Sequence, residues 1–351
     1  MKTVITGSGI GIPERVVDNH ALARLMDTTD EWIETRSGIR ERRYAADGQT
    51  STDLGVIAAE KALAMAGRGP ADVDAVIFAT MTPDYLFPGN GPILQRKMGL
   101  RNIATFDIRQ QCSGFLYGLD LADSLIRSGK FRTILLVGSE RHTAFMPWHQ
   151  GWASTIGQDV EITEEHRIAN TRIRDRTVLF GDGAGAVVVE PSDDDSRGYL
   201  ASKLFTDGEG WEALHVPGNG FSHRPYVTHE QIDSEEIIPV MHGRDVFKNA
   251  VVRMPEAVRL VCAEAGVTVE DLDLVLVHQA NLRIVQGVAK ALGLPDEKVP
   301  HNIEKYGNTT AGTLPILYHE MVEAGRIKPG SLIAFTALGS GLHWGASLYR
   351  A

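Results

Sequence analysis

Three side chains in the sequence are suited to work together on an acyl group: Cys112, His278 and Asn308. A thiolate is a strong nucleophile, and neutral hydrogen-bonding side chains can hold the oxyanion that forms when a carbonyl is attacked. After Cys112, residues Phe115, Leu119, Ala122 and Ile126 recur at three- or four-residue intervals, which predicts a helix with Cys112 at its start. Asp120, Asp123 and Arg127 are expected on the opposite, polar face, and Gly129 with Lys130 supplies a stop. A thiol at a helix N-terminus meets unpaired N–H groups and the positive end of the dipole, which favour thiolate. The strand Ile103–Ile108 would deliver Cys112 to a strand-to-helix turn. His278 follows the apolar run Leu274–Val277, so its imidazole is expected at the carboxyl edge of a strand, where α/β proteins gather ligands. Asn308 stands in Tyr306-Gly-Asn-Thr-Thr310. Taken singly, each has an ordinary reading: a small buried hydrophobe, a core histidine, a turn asparagine. Cys262, inside Ala257–Ala265, lies among apolar residues and is expected in the core.

The elements that must position these residues occur twice. Ala71-Asp-Val-Asp-Ala-Val-Ile-Phe-Ala79 and Glu270-Asp-Leu-Asp-Leu-Val-Leu-Val-His278 are each an acidic step into an apolar strand. Helical stretches follow, ending in Met98-Gly-Leu100 and Leu292-Gly-Leu294. Asp107-Ile-Arg-Gln-Gln-Cys112 then matches Asn302-Ile-Glu-Lys-Tyr-Gly-Asn308, which makes Asn308 the expected counterpart of Cys112. Strands Arg132–Gly138 and Ser331–Ala337 come next, and glycine-rich turns at Gly181 and Gly339 lead into last strands. Strands alternating with helices predict an α/β fold of two duplicated halves with mostly parallel sheets. The polar stretch Pro191–Gly198 is the natural linker, giving halves at 1–192 and 193–351.

Composition agrees with a globular enzyme. The 351 residues are 43% hydrophobic and 23% charged, which excludes disordered, fibrous and coiled-coil classes. A net charge of −10 disfavours nucleic acid as partner, since phosphates demand a concentrated positive field. No apolar run reaches the length of a membrane span, and Gly7 and Pro13 interrupt the N-terminal segment too early for a signal peptide. Two distant cysteines form neither a disulfide framework nor a zinc site, so a reduced, cytoplasmic protein without a metal is expected.

At these residues the chain resembles the β-ketoacyl-acyl-carrier-protein synthase III family of condensing enzymes, which have the thiolase fold. The resemblance runs nearly end to end. It is carried by Asp30-Glu-Trp-Ile-Glu-Thr-Arg-Ser-Gly-Ile-Arg-Glu-Arg42, Cys112-Ser-Gly-Phe-Leu-Tyr-Gly118, Phe180-Gly-Asp-Gly-Ala-Gly-Ala186, His278-Gln-Ala-Asn-Leu-Arg-Ile284 and Tyr306-Gly-Asn-Thr309. It implies a thiolase-like fold of two αβαβα halves in five layers, and a homodimer. It also implies that Cys112 takes an acyl group from acyl-CoA, while His278 and Asn308 hold the malonyl thioester of acyl carrier protein during decarboxylation. Backbone N–H groups of Cys112 and Ser340 would stabilise the tetrahedral oxyanion. Trp32, Arg36, Arg174 and Asn281 would contact CoA, and Phe87 would reach across the dimer to line the acyl pocket. Lys248, Arg283 and Lys290 would receive the acidic carrier protein. CoA thioesters are implied as substrates, with no cofactor.

Two departures bear on substrate choice. The glycine loop reads Gly339-Ser-Gly341 followed by Leu-His-Trp344, where Phe-Thr-Trp is commoner in the family. The segments His142–Arg176 and Gly208–Ile238 are longer than in compact members. They either reshape the acyl pocket or decorate the surface. The first alternative opens a second reading, a specialised ketosynthase of secondary metabolism using longer or unusual acyl chains. A non-catalytic acyl-CoA-binding subunit is a third, disfavoured because Cys112, His278 and Asn308 are all present. A dinucleotide site is rejected: Gly181-Asp-Gly-Ala-Gly-Ala186 has the letters but leads into Val187-Val-Val189, a strand, where the fingerprint requires a helix.

Overall fold

Aliphatic and β-branched runs form the two sheets of the computed structural model, which describes residues 2–351. Across the first sheet the strands are Lys2–Gly11, Gly183–Ser192, Ile134–Glu140, Ala75–Ala79 and Ala104–Ile108. Across the second they are Leu274–Val277, Leu332–Gly339, His343–Arg350 and Gly198–Thr206. Ala75–Ala79 runs parallel to both neighbours, as does Leu274–Val277 to Leu332–Gly339. All remaining ladders in these two sheets are antiparallel. The sheets are therefore mixed rather than mostly parallel. Leu332–Gly339 and His343–Arg350 are joined by only three residues, and so short a link closes an antiparallel hairpin. Gly181–Ala186 does run into a strand, Gly183–Ser192, as its sequence requires.

Helices Gly114–Arg127 and Thr313–Glu323 lie between the sheets, and one core joins Phe115, Leu119 and Ile126 to Leu136, Leu317 and Phe335. Helix Ser51–Ala66 covers the outer face of the first sheet. Gly243–Glu264, containing buried Cys262, and Leu282–Leu292 cover that of the second. Helix, sheet, helix, sheet, helix makes five layers. This position explains one departure from expectation: Asp123 is buried, because the central helices are covered on both sides. Burial pushes its carboxyl up.

The repeat extends to single hydrogen bonds. Asp74 N–H donates to the Thr133 carbonyl at 2.8 Å, and Asp74 Oδ2 accepts from Thr133 N at 3.0 Å. Asp273 does the same with Leu332, at 2.9 and 2.7 Å. Each half then places a 3₁₀ turn before its central helix, Gln111–Ser113 and Thr310–Gly312. Gln111 and Thr310, each opening its turn, have φ of 50° and 47°. The structural counterpart of Cys112 is consequently Ala311, not Asn308.

Segment 142–176 is no surface decoration. Trp152 is fully buried with Leu22, Leu25 and Met26, and its Nε1 donates to Asn170 Oδ1 at 2.8 Å. Among the described residues no helix is long and apolar enough to cross a membrane.

Candidate active site

Cys112, His278 and Asn308 come from three different elements and line one cavity of about 450 Å³. Cys112 lies in the 3₁₀ turn and is almost fully buried. Its turn packs against Gly339 so closely that a Cβ there would stand 2.9 Å from the Cys112 nitrogen. Only glycine permits that approach. The other half repeats the device, since a Cβ on Gly138 would stand 2.3 Å from the Ala311 carbonyl oxygen. Ser113 Oγ donates to the His343 carbonyl at 2.9 Å and fastens the Cys112 turn to the last hairpin.

The thiol is not poised as thiolate. Burial, with the nearby Glu140 carboxylate, pushes Cys112 up to about 12. Expectation from the helix start fails because Cys112 sits inside the buried turn, ahead of helix Gly114–Arg127, and beside a negative charge. Glu140 ends its strand fully buried, accepting hydrogen bonds from Thr82 Oγ1 at 2.6 Å, Thr82 N at 3.1 Å and Thr80 Oγ1 at 3.1 Å.

His278 is buried, and loss of solvation pushes its imidazole down to about 3. Nδ1 lies 2.6 Å from Thr313 Oγ1, which itself donates to the Thr310 carbonyl at 3.0 Å. With the hydroxyl hydrogen committed there, Nδ1 carries the proton and Nε2 is left as an acceptor. Rotating the hydroxyl toward Nδ1 reverses the assignment and makes Nε2 a donor. Asn308 is fixed more rigidly. Its backbone bonds Leu179 O at 2.8 Å and Gly181 N at 3.1 Å, and Oδ1 accepts from Thr310 N at 2.8 Å. That leaves Asn308 Nδ2 as a free donor. Thr310 and Thr313, invisible as site residues in the sequence, thus orient both partners of the thiol.

At the cavity wall stand Trp32, Arg36, Asn281 and Arg283. The Arg36 and Arg174 guanidinium carbons lie 4.3 and 4.7 Å from the Trp32 ring centroid, from the helix Asp30–Ser37 and from segment 142–176. Asn281 caps helix Leu282–Leu292: Oδ1 accepts from Arg283 N at 2.9 Å and Nδ2 donates to the Arg36 carbonyl at 3.0 Å. Arg283 Nη2 bonds Thr35 O at 2.9 Å. Lys248 and Lys290 are exposed on the two outer helices of the second sheet. Ser340 is half-buried, with Oγ bonded to the Leu214 carbonyl. Leu214, within segment 208–238, and Met241, just after it, also line the cavity. Phe87 is not on this wall; it is 81% exposed, beside exposed Tyr85 and Leu86.

Comparison with known proteins agrees with this geometry. The family model described as 3-oxoacyl-[acyl-carrier-protein] synthase III matches residues 106–157 and 163–208, and the model of its C-terminal part matches residues 262–351. The β-ketoacyl-[acyl-carrier-protein] synthase III of Aquifex aeolicus is 40% identical, with 100% of both chains covered. That of Caulobacter vibrioides is also 40% identical over 100% of both chains. The crystal structure of the Aquifex aeolicus enzyme covers 99% of this chain and 100% of its own, with a TM-score of 0.85. A priming β-ketosynthase from the R1128 polyketide pathway is 31% identical, with a TM-score of 0.83 and coverage of 99% and 96%. The thiol, imidazole and amide gathered in one cavity, on this duplicated fold and at this identity, place the chain in the 3-oxoacyl-[acyl-carrier-protein] synthase III family.

Proposed function

We propose that the chain forms β-ketoacyl-carrier protein by decarboxylative Claisen condensation, first loading an acyl group from acyl-CoA onto Cys112. Two halves, 1–192 and 193–351, divide the work. In loading, His278 Nε2 takes the Cys112 proton as sulfur attacks the thioester carbonyl, and the departing CoA sulfur recovers the proton. Backbone N–H groups of Cys112 and Ser340 hold the tetrahedral oxyanion. In condensation, the bond from the malonyl α-carbon to its carboxylate breaks and CO2 leaves. Asn308 Nδ2 and His278 Nε2, now the protonated nitrogen, hold the enolate oxygen. The α-carbon attacks the acyl thioester, and the Cys112 sulfur departs and regains a proton. Because CO2 loss generates the carbanion, no separate carboxylate base and no cofactor is needed.

Trp32, Arg36 and Arg174 would receive the CoA adenine, with Asn281 beside the pantetheine path. Inserting a base between ring and guanidinium requires them to part by about 3.5 Å, the thickness of one aromatic layer. Lys248, Arg283 and Lys290 would receive the acidic carrier protein. Exposed Phe87 would be covered in a homodimer, where it lines the partner's acyl pocket.

The observation that carries this reading is the single cavity in which the thiol meets an imidazole and an amide, each oriented by the Thr310–Thr313 turn. Intact-protein mass spectrometry with acyl-CoAs of graded chain length, followed by malonyl-carrier protein, tests it. The expected result is an adduct on Cys112 that is consumed to β-ketoacyl-carrier protein. An adduct that malonyl-carrier protein leaves untouched, or none with any acyl-CoA, refutes it.

A further inference from the structure

In the loop Gly339-Ser340-Gly341 only the middle residue has a side chain. The outer two are held to glycine by geometry. A Cβ on Gly339 would stand 2.9 Å from the Cys112 nitrogen, and Gly341 has a φ of 137°. Flanking glycines leave the backbone at Ser340 with little conformational preference of its own. Yet an N–H that stabilises an oxyanion has to be aimed before the charge develops. Its direction must be fixed by contacts from outside the loop.

Segment 207–214 supplies such contacts. The Ser340 hydroxyl donates to the Leu214 carbonyl. Leu342, two residues on, exchanges both backbone hydrogen bonds with Asp207, each at 2.9 Å. A Cβ on Gly210 would stand 2.8 Å from Leu342 Cγ, so this turn presses directly on the Leu342 side chain. The segment is braced in its turn. Asp207 Oδ2 accepts from Arg253 Nη2 at 2.6 Å, and the Arg253 guanidinium carbon lies 4.2 Å from the Trp344 ring centroid. Leu214 pairs with Met241 in a short antiparallel ladder. Leu214, Met241, Gly339 and Leu342 all line the Cys112 cavity. The Ser340 hydroxyl therefore ties the glycine loop to a braced stretch of the cavity wall.

We propose that the Ser340 side chain is a positioning group for acyl loading: its hydroxyl, anchored on the Leu214 carbonyl, fixes the direction of the Ser340 backbone N–H toward the tetrahedral oxyanion. The inference rests on the loading reaction proposed above, in which this hydroxyl touches no substrate. Glycine at position 340 keeps the N–H and loses the anchor. Alanine loses the anchor while keeping a backbone restricted by a Cβ, and threonine keeps the hydroxyl. These three substitutions separate the hydroxyl from the other changes made at this position.

The test uses whichever of acetyl-, butyryl- and octanoyl-CoA loads the unaltered enzyme fastest, with Cys112 acylation followed by rapid quenching and intact mass over a range of thioester concentration. Ser340→Gly and Ser340→Ala are each expected to lower the limiting acylation rate about tenfold, because a misdirected donor is lost mainly in the transition state. The half-saturating concentration should stay within about twofold, since ground-state binding of CoA does not involve the hydroxyl. Ser340→Thr should load within about threefold of the unaltered enzyme, because its hydroxyl reaches the same carbonyl. Unchanged limiting rates in both Ser340→Gly and Ser340→Ala overturn the inference. So does a loss that Ser340→Thr shares in full, or one that falls on the half-saturating concentration alone, as loosened wall packing would produce. If no thioester acylates the unaltered enzyme, the loading reading itself fails, which is a different result from loading that is indifferent to the hydroxyl.

Discussion

The turns Gln111–Ser113 and Thr310–Gly312 have the same backbone and different chemistry. Each opens on a residue with positive φ, precedes a central helix and packs against a glycine in the other half. The first carries the thiol, where the second has Ala311. The strand Leu274–Val277 ends on His278, where Ala75–Ala79 ends on Ala79. Duplication thus supplied two equivalent edges, and side-chain divergence gave the thiol to one and the imidazole and amide to the other, all three lining one cavity. The first turn is a platform for a buried, neutral thiol, and the second is a clamp that orients its partners.

The largest effect is expected at the clamp. Asn308→Ala removes the one donor with a fixed orientation and should slow decarboxylation of malonyl-carrier protein roughly 10²–10³-fold, with acyl-Cys112 still forming. Loss of acylation with decarboxylation intact would place Asn308 on the wrong side of the comparison. Thr313→Val keeps the packing but removes the hydroxyl that sets the His278 tautomer, and should cost about tenfold in condensation. An unchanged rate would mean that Nδ1 has another anchor. On the platform, Glu140→Gln removes the charge that raises the Cys112 thiol, so alkylation by iodoacetamide at fixed pH should speed up several-fold. In the unaltered protein the alkylation rate should keep climbing through pH 9, since the thiol titrates near 12. A plateau near neutral pH would show a thiolate instead.

The smallest effect concerns stability. His142 is held down to about 3 in the folded state against 6.5 when solvated. Below pH 6.5 the unfolded chain binds a proton at this ring that the folded chain does not, so the wild type loses stability as pH falls. His142→Leu lacks that loss. The stability gap between the variant and wild type should therefore widen by up to about 1.4 kcal/mol per pH unit from pH 6.5 toward 4. Denaturant unfolding at several pH values checks it, and a constant gap would mean a ring that titrates normally.

Much of this arrangement was legible in the sequence. Apolar strands, the helical period after Cys112 and paired landmarks located the turn that holds the thiol, the histidine edge and the duplication, while the five layers came from the family resemblance. The register of the repeat was misread by a few residues because neither turn announces itself. Positive φ falls on Gln111 and Thr310, where residue type gives no glycine-like signal. Thr310 and Thr313 were missed because their role depends on a hydrogen-bond chain through backbone carbonyls, which no side-chain pattern encodes. The thiol's protonation was misjudged since burial and Glu140, brought close only by the fold, outweigh a helix terminus. Segments 142–176 and 208–238 fold as short helices, 3₁₀ turns and loops, the first around Trp152 and the second carrying Leu214, so their contribution to the cavity appears only in three dimensions.

The division of labour between the two turns is tested most directly by measuring acyl-enzyme formation and malonyl-carrier-protein decarboxylation in parallel on Cys112→Ala and His278→Ala. The expected result is complementary loss: Cys112→Ala forms no acyl-enzyme yet still releases CO2, and His278→Ala still acquires the acyl group, more slowly, yet releases none. Persistent acylation of Cys112→Ala, or loss of the same single step in both variants, would contradict it.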